Sequence, residues 1–162
     1  MNAPTKSPRN TETVLVVDDE VLIRMTISQY LRDCGYRVIE AVSADEAMLV
    51  LRSEDLHVDI VFSDIEMPGS MDGFGLAQWI RSNNPDVDVV LAGTPASAAA
   101  KAGDLCQSGP HLAKPYDPQL VHDRIKRLLA NRKRLGRRKG SVTVSQTRIA
   151  DSSVLNDSMP SK

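Results

Sequence analysis

The stretch ETVLVVDDE, from Glu12 to Glu20, sets an apolar run directly against three consecutive acidic residues. The run from Val14 to Val17 has the length and the β-branched content of a buried strand. Carboxylates placed side by side repel one another, and a fold keeps them together when positive charge lies among them. The stretch therefore predicts a buried strand whose end delivers acidic side chains to a cation.

Short β-type runs and amphipathic helical patterns alternate along the rest of the chain. We predict strands at Thr13–Val17, Tyr36–Glu40, Val58–Ser63, Val87–Gly93 and His111–Ala113. We predict helices at Glu20–Asp33, from Ser43 onward, at Phe74–Ser82, at Ala96–Cys106 and from Pro118 to about Arg132–Leu135, where Gly136 ends the last of them. Five β/α repeats predict the α/β class, with a parallel sheet covered by helices on both faces.

The first of these helices has an apolar pattern that predicts its buried side. The positions expected to face the core are Val21, Met25, Ile27 and Leu31. Gly35 follows the last of them and is expected to close the helix.

The composition is that of a folded domain of ordinary size. The chain has 162 residues, of which 41% are hydrophobic, so about one domain with its own core is expected. Its apolar runs are too short to span a membrane, and the first ten residues lack the apolar region of a secretory signal. Cys34 and Cys106 fit neither a metal-site spacing nor a disulfide framework, and we interpret both as core thiols of a cytoplasmic protein.

Charge divides the chain into an acidic part and a basic end. Residues 1–130 hold 12 Lys or Arg and 19 Asp or Glu, whereas residues 131–162 hold 8 and 2. We therefore predict a flexible N-terminus at 1–11, a folded domain at 12–135 and a basic, polar, disordered tail at 136–162. The run RKRLGRRK at Arg132–Lys139 fits a solvated helix end, and a nucleic-acid patch is the alternative interpretation.

Residues with distinctive chemistry follow three of the predicted strands. Asp18 and Asp19 come after the first strand, Asp64 after the third and Lys114 after the fifth. In a doubly wound sheet ligands bind beside the carboxyl ends of the strands, so these side chains should converge on one pocket. Two or three carboxylates on one rim suit Mg²⁺, and a carboxylate beside that ion is a possible nucleophile for a phosphoryl group. Lys114 would neutralise the charge that arrives on the phosphoryl oxygens.

Each of these residues also has a simpler interpretation. An Asp at a strand end can be the N-cap of the next helix, and Lys114 can be a solvated loop residue before a proline. The combination of the acidic pair with Asp64 and Lys114 in register favours a shared site. The run GFGLAQ from Gly73 lacks the third glycine of a dinucleotide fingerprint and follows an acidic loop, so we assign it no such role.

Three motifs, in their order and spacing, resemble the receiver domain of bacterial response regulators. They are VLVVDDE, DIVFSDIEMPGSMDGFGLA and LAKPYDP, and the resemblance covers about Thr13 to Ala130. It implies a flavodoxin-like (βα)5 fold with a doubly wound parallel sheet of strand order 2-1-3-4-5. The three motifs together are specific, although each alone would be a weak signal.

The resemblance also implies a role for each matching residue. Asp64 would be the phosphoacceptor, Lys114 would pair with the phosphoryl group, and the peptide bond from Lys114 to Pro115 would be cis. The implied ligands of Mg²⁺ are Asp18, Asp19, Asp64 and the backbone carbonyl of Glu66.

The chain departs from the receiver pattern at two positions. Receiver domains end the fourth strand with a Ser or Thr whose hydroxyl meets the phosphoryl group, but here Gly93 holds that position and Thr94 follows it. Either Thr94 acts as the switch hydroxyl through a shifted loop, or the hydroxyl is absent. The usual switch aromatic is replaced by His111, which is either a titratable substitute or a structural histidine.

The function that we predict is that of a stand-alone response regulator in a phosphorelay. It would be cytoplasmic, would use Mg²⁺, and would be a phosphoacceptor rather than an enzyme. Its partners would be a sensor histidine kinase or phosphotransfer protein and an unknown downstream protein, with no membrane or nucleic acid and a possible homodimer. That downstream protein would be reached through the fourth strand, the helix after it and the fifth strand.

Two alternatives stay open from the sequence. The first is an adaptor with the same fold whose partner binding does not require phosphorylation, which the glycine at the end of the fourth strand favours. The second is a metal-dependent phosphatase for small substrates, which needs a second acid two residues after the nucleophile. Glu66 occupies that place, but no substrate-covering domain is predicted.

Overall fold

The computed structural model describes residues 11–94 and 112–140, with side chains as far as residue 136. Strands and helices alternate, as the sequence predicts. In chain order they are β1 (Thr13–Val17), α1 (Val21–Asp33), β2 (Arg37–Ala41), α2 (Ala44–Arg52), β3 (Ile60–Asp64), α3 (Gly73–Asn83), β4 (Asp88–Gly93), β5 (Leu112–Ala113) and α4 (Pro118–Gly140). The predicted helix at 96–106 and His111 lie outside the described residues.

The five strands form one parallel sheet in the order β2-β1-β3-β4-β5, which confirms the predicted fold. Val17, the last residue of β1, lies opposite Ser63 of β3. The residues that follow, Asp18 and Asp64, therefore leave the sheet at the same level. Gly93 at the end of β4 pairs with Ala113, which sets the residue after β5 at the same edge.

Side chains alternate between the two faces of the sheet and build a core on each. Leu15 and Val17 of β1 point to the side covered by α2 and α3. Val14 and Val16 point to the side covered by α1 and α4. The strand is fully buried because helices cover both faces, and its continuous apolar sequence is typical of that position.

The predicted inward side of α1 is half wrong. Ile27 and Leu31 are buried, but Val21 and Met25 are 53% and 56% exposed. The helix packs through a stripe spaced four residues apart, which continues from Leu31 and Ile27 to the partly buried Ile23. Positions two residues away from this stripe lie about 200° around the helix and face outward.

Two helix starts have the side-chain caps that their sequences indicate. The Ser43 hydroxyl accepts a hydrogen bond from the Glu46 N–H (3.2 Å), and the Glu46 carboxylate accepts one from the Val42 N–H (2.6 Å). The side chains thus reciprocate as in a capping box, with Glu46 reaching one residue further back. At the start of α4, the Asp117 carboxylate accepts a hydrogen bond from the Gln119 N–H (2.8 Å).

The predicted end of α4 is wrong, because the helix continues through Gly136 to Gly140. A glycine inside an exposed helix costs only about 1 kcal/mol relative to alanine. The flanking Arg and Lys residues are good helix formers, and basic residues near a helix C-terminus favour the helix dipole. The division of the chain into a domain and a tail at residue 135 stays a prediction.

The basic residues of α4 contact acidic residues at the amino ends of three strands. Arg132 forms ion pairs with Asp88 (2.6 Å between Nε and Oδ2) and with Asp59 (3.7 Å between Nη1 and Oδ1). Lys133 lies 3.7 Å from the carboxylate of Glu12, just before β1. Part of the basic run is therefore paired within the protein.

Cys34 does not lie in the core, contrary to the prediction. It caps the C-terminus of α1 and is exposed, because the helix ends at the surface and Gly35, with a φ of 97°, turns the chain back toward β2. Cys106 lies outside the described residues. Among the helices that the structure describes, none is both long enough and apolar enough to cross a membrane.

Candidate functional site

Three carboxylates meet at the carboxyl edge of the sheet. Asp18 and Asp64 are buried, with 1% and 4% of their surface exposed, and Asp19 is exposed beside them. An oxygen atom from each of the three lies within 4.8 Å of the other two. The predicted convergence of these residues is therefore observed, and it follows from the shared level at which β1 and β3 end.

Backbone N–H groups orient the two buried carboxylates. Oδ1 of Asp18 accepts a hydrogen bond from Glu20 (2.8 Å), and Oδ1 of Asp64 accepts one from Glu66 (3.1 Å). The second oxygen of Asp18 is buried and has no hydrogen-bond partner among the described residues. A buried oxygen left in this state is costly unless a cation binds it. The three carboxylates supply hard oxygen donors on one rim, so the site fits Mg²⁺.

Lys114 is the basic residue that faces these acids. Its Nζ lies 3.1 Å from Oδ2 of Asp64 and 3.8 Å from Oδ2 of Asp18. The backbone N–H of Lys114 donates to the carbonyl of Gly93 (2.9 Å), which fixes the residue at the end of β5. The bond from Lys114 to Pro115 is cis, as the resemblance implies.

Burial and charge act against each other at this site. Burial raises the pKa of Asp64, and the hydrogen bond and charge of Lys114 offset part of that rise. Burial likewise raises the pKa of Asp18, against the Glu20 hydrogen bond and the charge of Lys114. Burial lowers the pKa of Lys114, but its hydrogen bond to Asp64 and the nearby carboxylates outweigh burial, and the pKa lies above its ordinary value. One ammonium group thus faces more negative charge than it neutralises.

Two residues that the sequence reasoning missed hold the loops of this site. Gly73 packs so closely under β3 that a Cβ there would lie 2.1 Å from the carbonyl oxygen of Asp64. Arg24 donates from Nη1 to the carbonyl of Asp18 (2.7 Å) and also pairs with Glu40 (3.4 Å). The close packing of Gly73 could have been suspected from the sequence, because a glycine directly follows the loop and begins the helix. No local sequence feature indicates the contacts of Arg24.

Thr94 follows β4 at the rim of the site. Its hydroxyl donates a hydrogen bond to Oε1 of Glu66 (3.0 Å), the exposed residue two positions after Asp64. Gly93 itself is buried at the end of the strand. The structure therefore directs the Thr94 hydroxyl to a side chain of the loop after β3. The role of the Glu66 carbonyl as a metal ligand stays a prediction, and His111 lies outside the described residues.

Residues 14–126 match the protein family described as the response regulator receiver domain. The chain belongs to this family. Receiver domains are the phosphoaccepting domains of response regulators in two-component systems, where they interact with histidine kinases or phosphotransfer proteins and bind Mg²⁺ at an acidic pocket.

Individual relatives agree with the family match. The chain is 31% identical over 121 residues to the probable transcriptional regulator ycf27 of Cyanophora paradoxa and 31% identical over 120 residues to the transcriptional regulatory protein ResD of Bacillus subtilis. Each match covers 74% of this chain and 49% of the relative, so the chain spans about half the length of these curated relatives.

A similar fold is found in the crystal structure of response regulator TrrA of Thermotoga maritima in complex with Mg²⁺-BeF. The two chains are 26% identical, with a TM-score of 0.64, and the match covers 73% of this chain and 99% of TrrA.

An apolar pocket of about 550 Å³ lies beside the acidic site of this receiver domain. Leu22 and Ile23 of α1 line one side, and Pro115 and Tyr116, directly after Lys114, line the other. Leu22 is 75% exposed, and its neighbours Val21 and Met25 on the same turn region of α1 are also exposed. An exposed apolar surface of this kind is typical of places where proteins contact one another.

Proposed function

We propose that Asp64 of this receiver domain accepts a phosphoryl group from a phosphorylated histidine of a kinase or phosphotransfer protein. The observation that supports this most directly is the position of Asp64. Its buried carboxylate lies 3.1 Å from Lys114 and belongs to a three-carboxylate cluster. The same arrangement of charge would stabilise a phosphoryl group in transfer.

The proposed transfer is a direct displacement at phosphorus. An oxygen of the Asp64 carboxylate forms the new O–P bond as the P–N bond to the donor imidazole breaks, and the imidazole keeps the bonding electron pair. Lys114, already within 3.1 Å of Asp64, pairs with the phosphoryl oxygens and limits the build-up of charge. The Glu66 N–H holds Oδ1 of Asp64 and so fixes the plane of the carboxylate.

We assign the metal ligands of this chain to Asp18, Asp19, Asp64 and the backbone carbonyl of Glu66. Bound Mg²⁺ would neutralise phosphoryl and carboxylate charge. Oδ2 of Asp18 supports this assignment, because it is buried, accepts no hydrogen bond from the described residues and has the Lys114 ammonium group only at 3.8 Å. Asp19 is exposed and keeps the side of the site that faces solvent acidic.

The apolar pocket beside Lys114 is the surface on which we place the phosphoryl donor. A donor histidine must come within bonding distance of Asp64, so the protein that carries it must contact the rim of the site. Leu22, Ile23 and Tyr116 offer that protein an apolar surface to bury. Stand-alone organisation, homodimer formation and a cytoplasmic location stay predictions.

The proposal is tested by phosphorylation with acetyl phosphate and Mg²⁺, followed by intact-protein mass spectrometry. The parent protein should gain an adduct that is stable in acid and labile in base, and chelation of Mg²⁺ should prevent it. Asp64→Asn should gain none, whereas Asp59→Asn, at the opposite end of the sheet, should label like the parent. Equal labelling of Asp64→Asn and the parent would show that Asp64 is not the acceptor.

A second candidate function is an adaptor that binds its partners without phosphorylation. The observation that favours it is the end of β4, where Gly93 has no hydroxyl and the Thr94 hydroxyl binds Glu66. The same labelling experiment separates the two functions. An adaptor would fail to label under conditions in which magnesium binding is saturated.

A further inference from the structure

Glu66 connects the acceptor aspartate to the end of β4. Its backbone N–H donates to Oδ1 of Asp64 at 3.1 Å, and its side-chain Oε1 accepts from the Thr94 hydroxyl at 3.0 Å. One residue therefore touches both the proposed phosphorylation site and the first residue after β4. Two hydrogen bonds, both made by Glu66, therefore connect Asp64 with Thr94.

The sequence at the end of β4 determines which hydroxyl this connection involves. The strand ends in Gly93, which carries no side chain, and the residue that follows it, Thr94, carries a hydroxyl. A hydroxyl has a single proton to donate and can satisfy one strong acceptor at a time. While that proton points to the Glu66 carboxylate, it is not available to a phosphoryl group on Asp64.

We propose that the Glu66 carboxylate is a positioning residue that holds the Thr94 hydroxyl until Asp64 is phosphorylated and then releases it. The proposal rests on the proposed function of Asp64 as phosphoacceptor. A phosphoryl group on Asp64 adds negative charge near the Glu66 carboxylate. The repulsion between the two anions favours movement of that carboxylate away from Thr94. The phosphoryl oxygens are also strong acceptors that compete for the same hydroxyl.

This arrangement differs from one in which the hydroxyl at the end of β4 makes no hydrogen bond to a side chain before phosphorylation. Glu66 makes the resting state more stable by one hydrogen bond, and phosphorylation must break that bond. The expected cost is about a threefold to tenfold factor in the affinity for a phosphoryl group, the usual range for one hydrogen bond. Removing the Glu66 carboxylate should therefore increase the affinity for a phosphoryl group by the same factor.

The first test uses the protein without any phosphoryl group. Methyl and amide NMR signals of Thr94 should move in Glu66→Ala, because its hydroxyl loses this acceptor. In Glu66→Gln the signals should stay near the parent positions, because the amide oxygen still accepts. Glu54→Ala, an exposed acid in the loop before β3, is the matched control and should leave them unchanged. Unchanged Thr94 signals in Glu66→Ala would overturn the proposal.

The second test measures the dissociation constant of beryllofluoride with Mg²⁺, a mimic of the phosphoryl group, in a double-mutant cycle. Glu66→Ala should bind about threefold to tenfold more tightly than the parent. In a Thr94→Val background, the same substitution should gain less by about threefold, because no Thr94 hydrogen bond remains to be broken. Equal gains in the two backgrounds would assign the effect to charge alone and overturn the proposal.

The two tests separate this inference from the proposed function. If the parent binds beryllofluoride and labels at Asp64 but shows no coupling between Glu66 and Thr94, the inference alone fails. If the parent neither binds nor labels, the function of Asp64 fails, and with it the release step. The NMR comparison of the unliganded variants then still reports whether Glu66 holds Thr94.

Discussion

Both ends of this sheet carry aspartates, but the aspartates differ in their basic partners. At the amino ends of the strands, Asp59 and Asp88 contact Arg132 of α4, which lies against them. At the carboxyl ends, Asp18 and Asp64 share the single ammonium group of Lys114. At the amino end Arg132 and Lys133 of α4 pair with the acids, whereas at the carboxyl end one lysine faces three carboxylates.

Burial makes this difference significant. The pairs at the amino ends are partly exposed, and pairs of that kind contribute about 0–1 kcal/mol each because solvent screens them. The carboxylates of Asp18 and Asp64 are buried, so their uncompensated charge costs more. Such a cost beside a buried oxygen that accepts no hydrogen bond among the described residues fits a cation site, whereas the acids of the amino end contact α4.

The largest effect should come from adding one methyl group at Gly73, beside the carboxyl end of the sheet. Gly73→Ala places a Cβ 2.1 Å from the carbonyl oxygen of Asp64, a contact that forces the β3–α3 loop to move. We expect a loss of about 2–4 kcal/mol in the free energy of unfolding and weak phosphoryl labelling.

Gly136→Ala in α4 is the matched substitution, because its Cβ meets no atom within 4 Å. It should stabilise the protein by up to about 1 kcal/mol. Urea denaturation of both variants measures the contrast. Equal stability changes would show that the close packing under Asp64 is not required.

A smaller effect is expected from removing one charge at the carboxyl end. Asp19→Asn should weaken Mg²⁺ binding about tenfold, since a charge at about 4 Å contributes on the order of 1–4 kcal/mol near a protein surface. The metal-free protein should become slightly more stable, because repulsion among the carboxylates falls.

Isothermal titration calorimetry with Mg²⁺ measures this difference. Asp88→Asn, at the amino end, is the control and should bind Mg²⁺ with the affinity of the parent. An unchanged affinity in Asp19→Asn would remove Asp19 from the metal site.

The smallest effect is expected at the amino end of the sheet. Arg132→Ala should lower the free energy of unfolding by about 1 kcal/mol, less at high salt, because it removes the ion pairs of Arg132 with Asp59 and Asp88. Arg134→Ala, at an exposed position two residues further along α4, should change stability by less than about 0.5 kcal/mol. Thermal melts in low and high salt test this, and a change in Mg²⁺ affinity in Arg132→Ala would contradict the separation of the two ends.

Much of the fold could be predicted because its signals are local. The apolar run of β1, the change to a helical pattern after it and the caps at Ser43 and Asp117 each act within a few residues. The convergence of Asp18 and Asp64 followed as well, because parallel strands of similar length end at one edge. These predictions needed chain order and residue type alone.

The wrong predictions concern which face of a helix is buried and where a helix ends. Val21 and Met25 are apolar residues of an amphipathic helix, yet both are exposed. The helix α1 packs on the sheet through Ile27 and Leu31. Gly136 has the sequence signal of a helix end, but α4 continues past it. In both cases the local pattern allowed two outcomes, and packing selected one.

The sequence by itself determined the alternation of strands and helices, the acidic rim and the lysine opposite it, because these follow from residue type and position along the chain. The strand order was implied by the resemblance of three motifs to receiver domains. Only the tertiary structure decided that Gly73 lies against the backbone of Asp64, that the Thr94 hydroxyl points to Glu66 and that Arg132 pairs with Asp59 and Asp88. These contacts join residues that are distant in the chain, and their existence depends on distances of a few ångströms between packed elements. Residue type permits such contacts, and the folded arrangement selects among them.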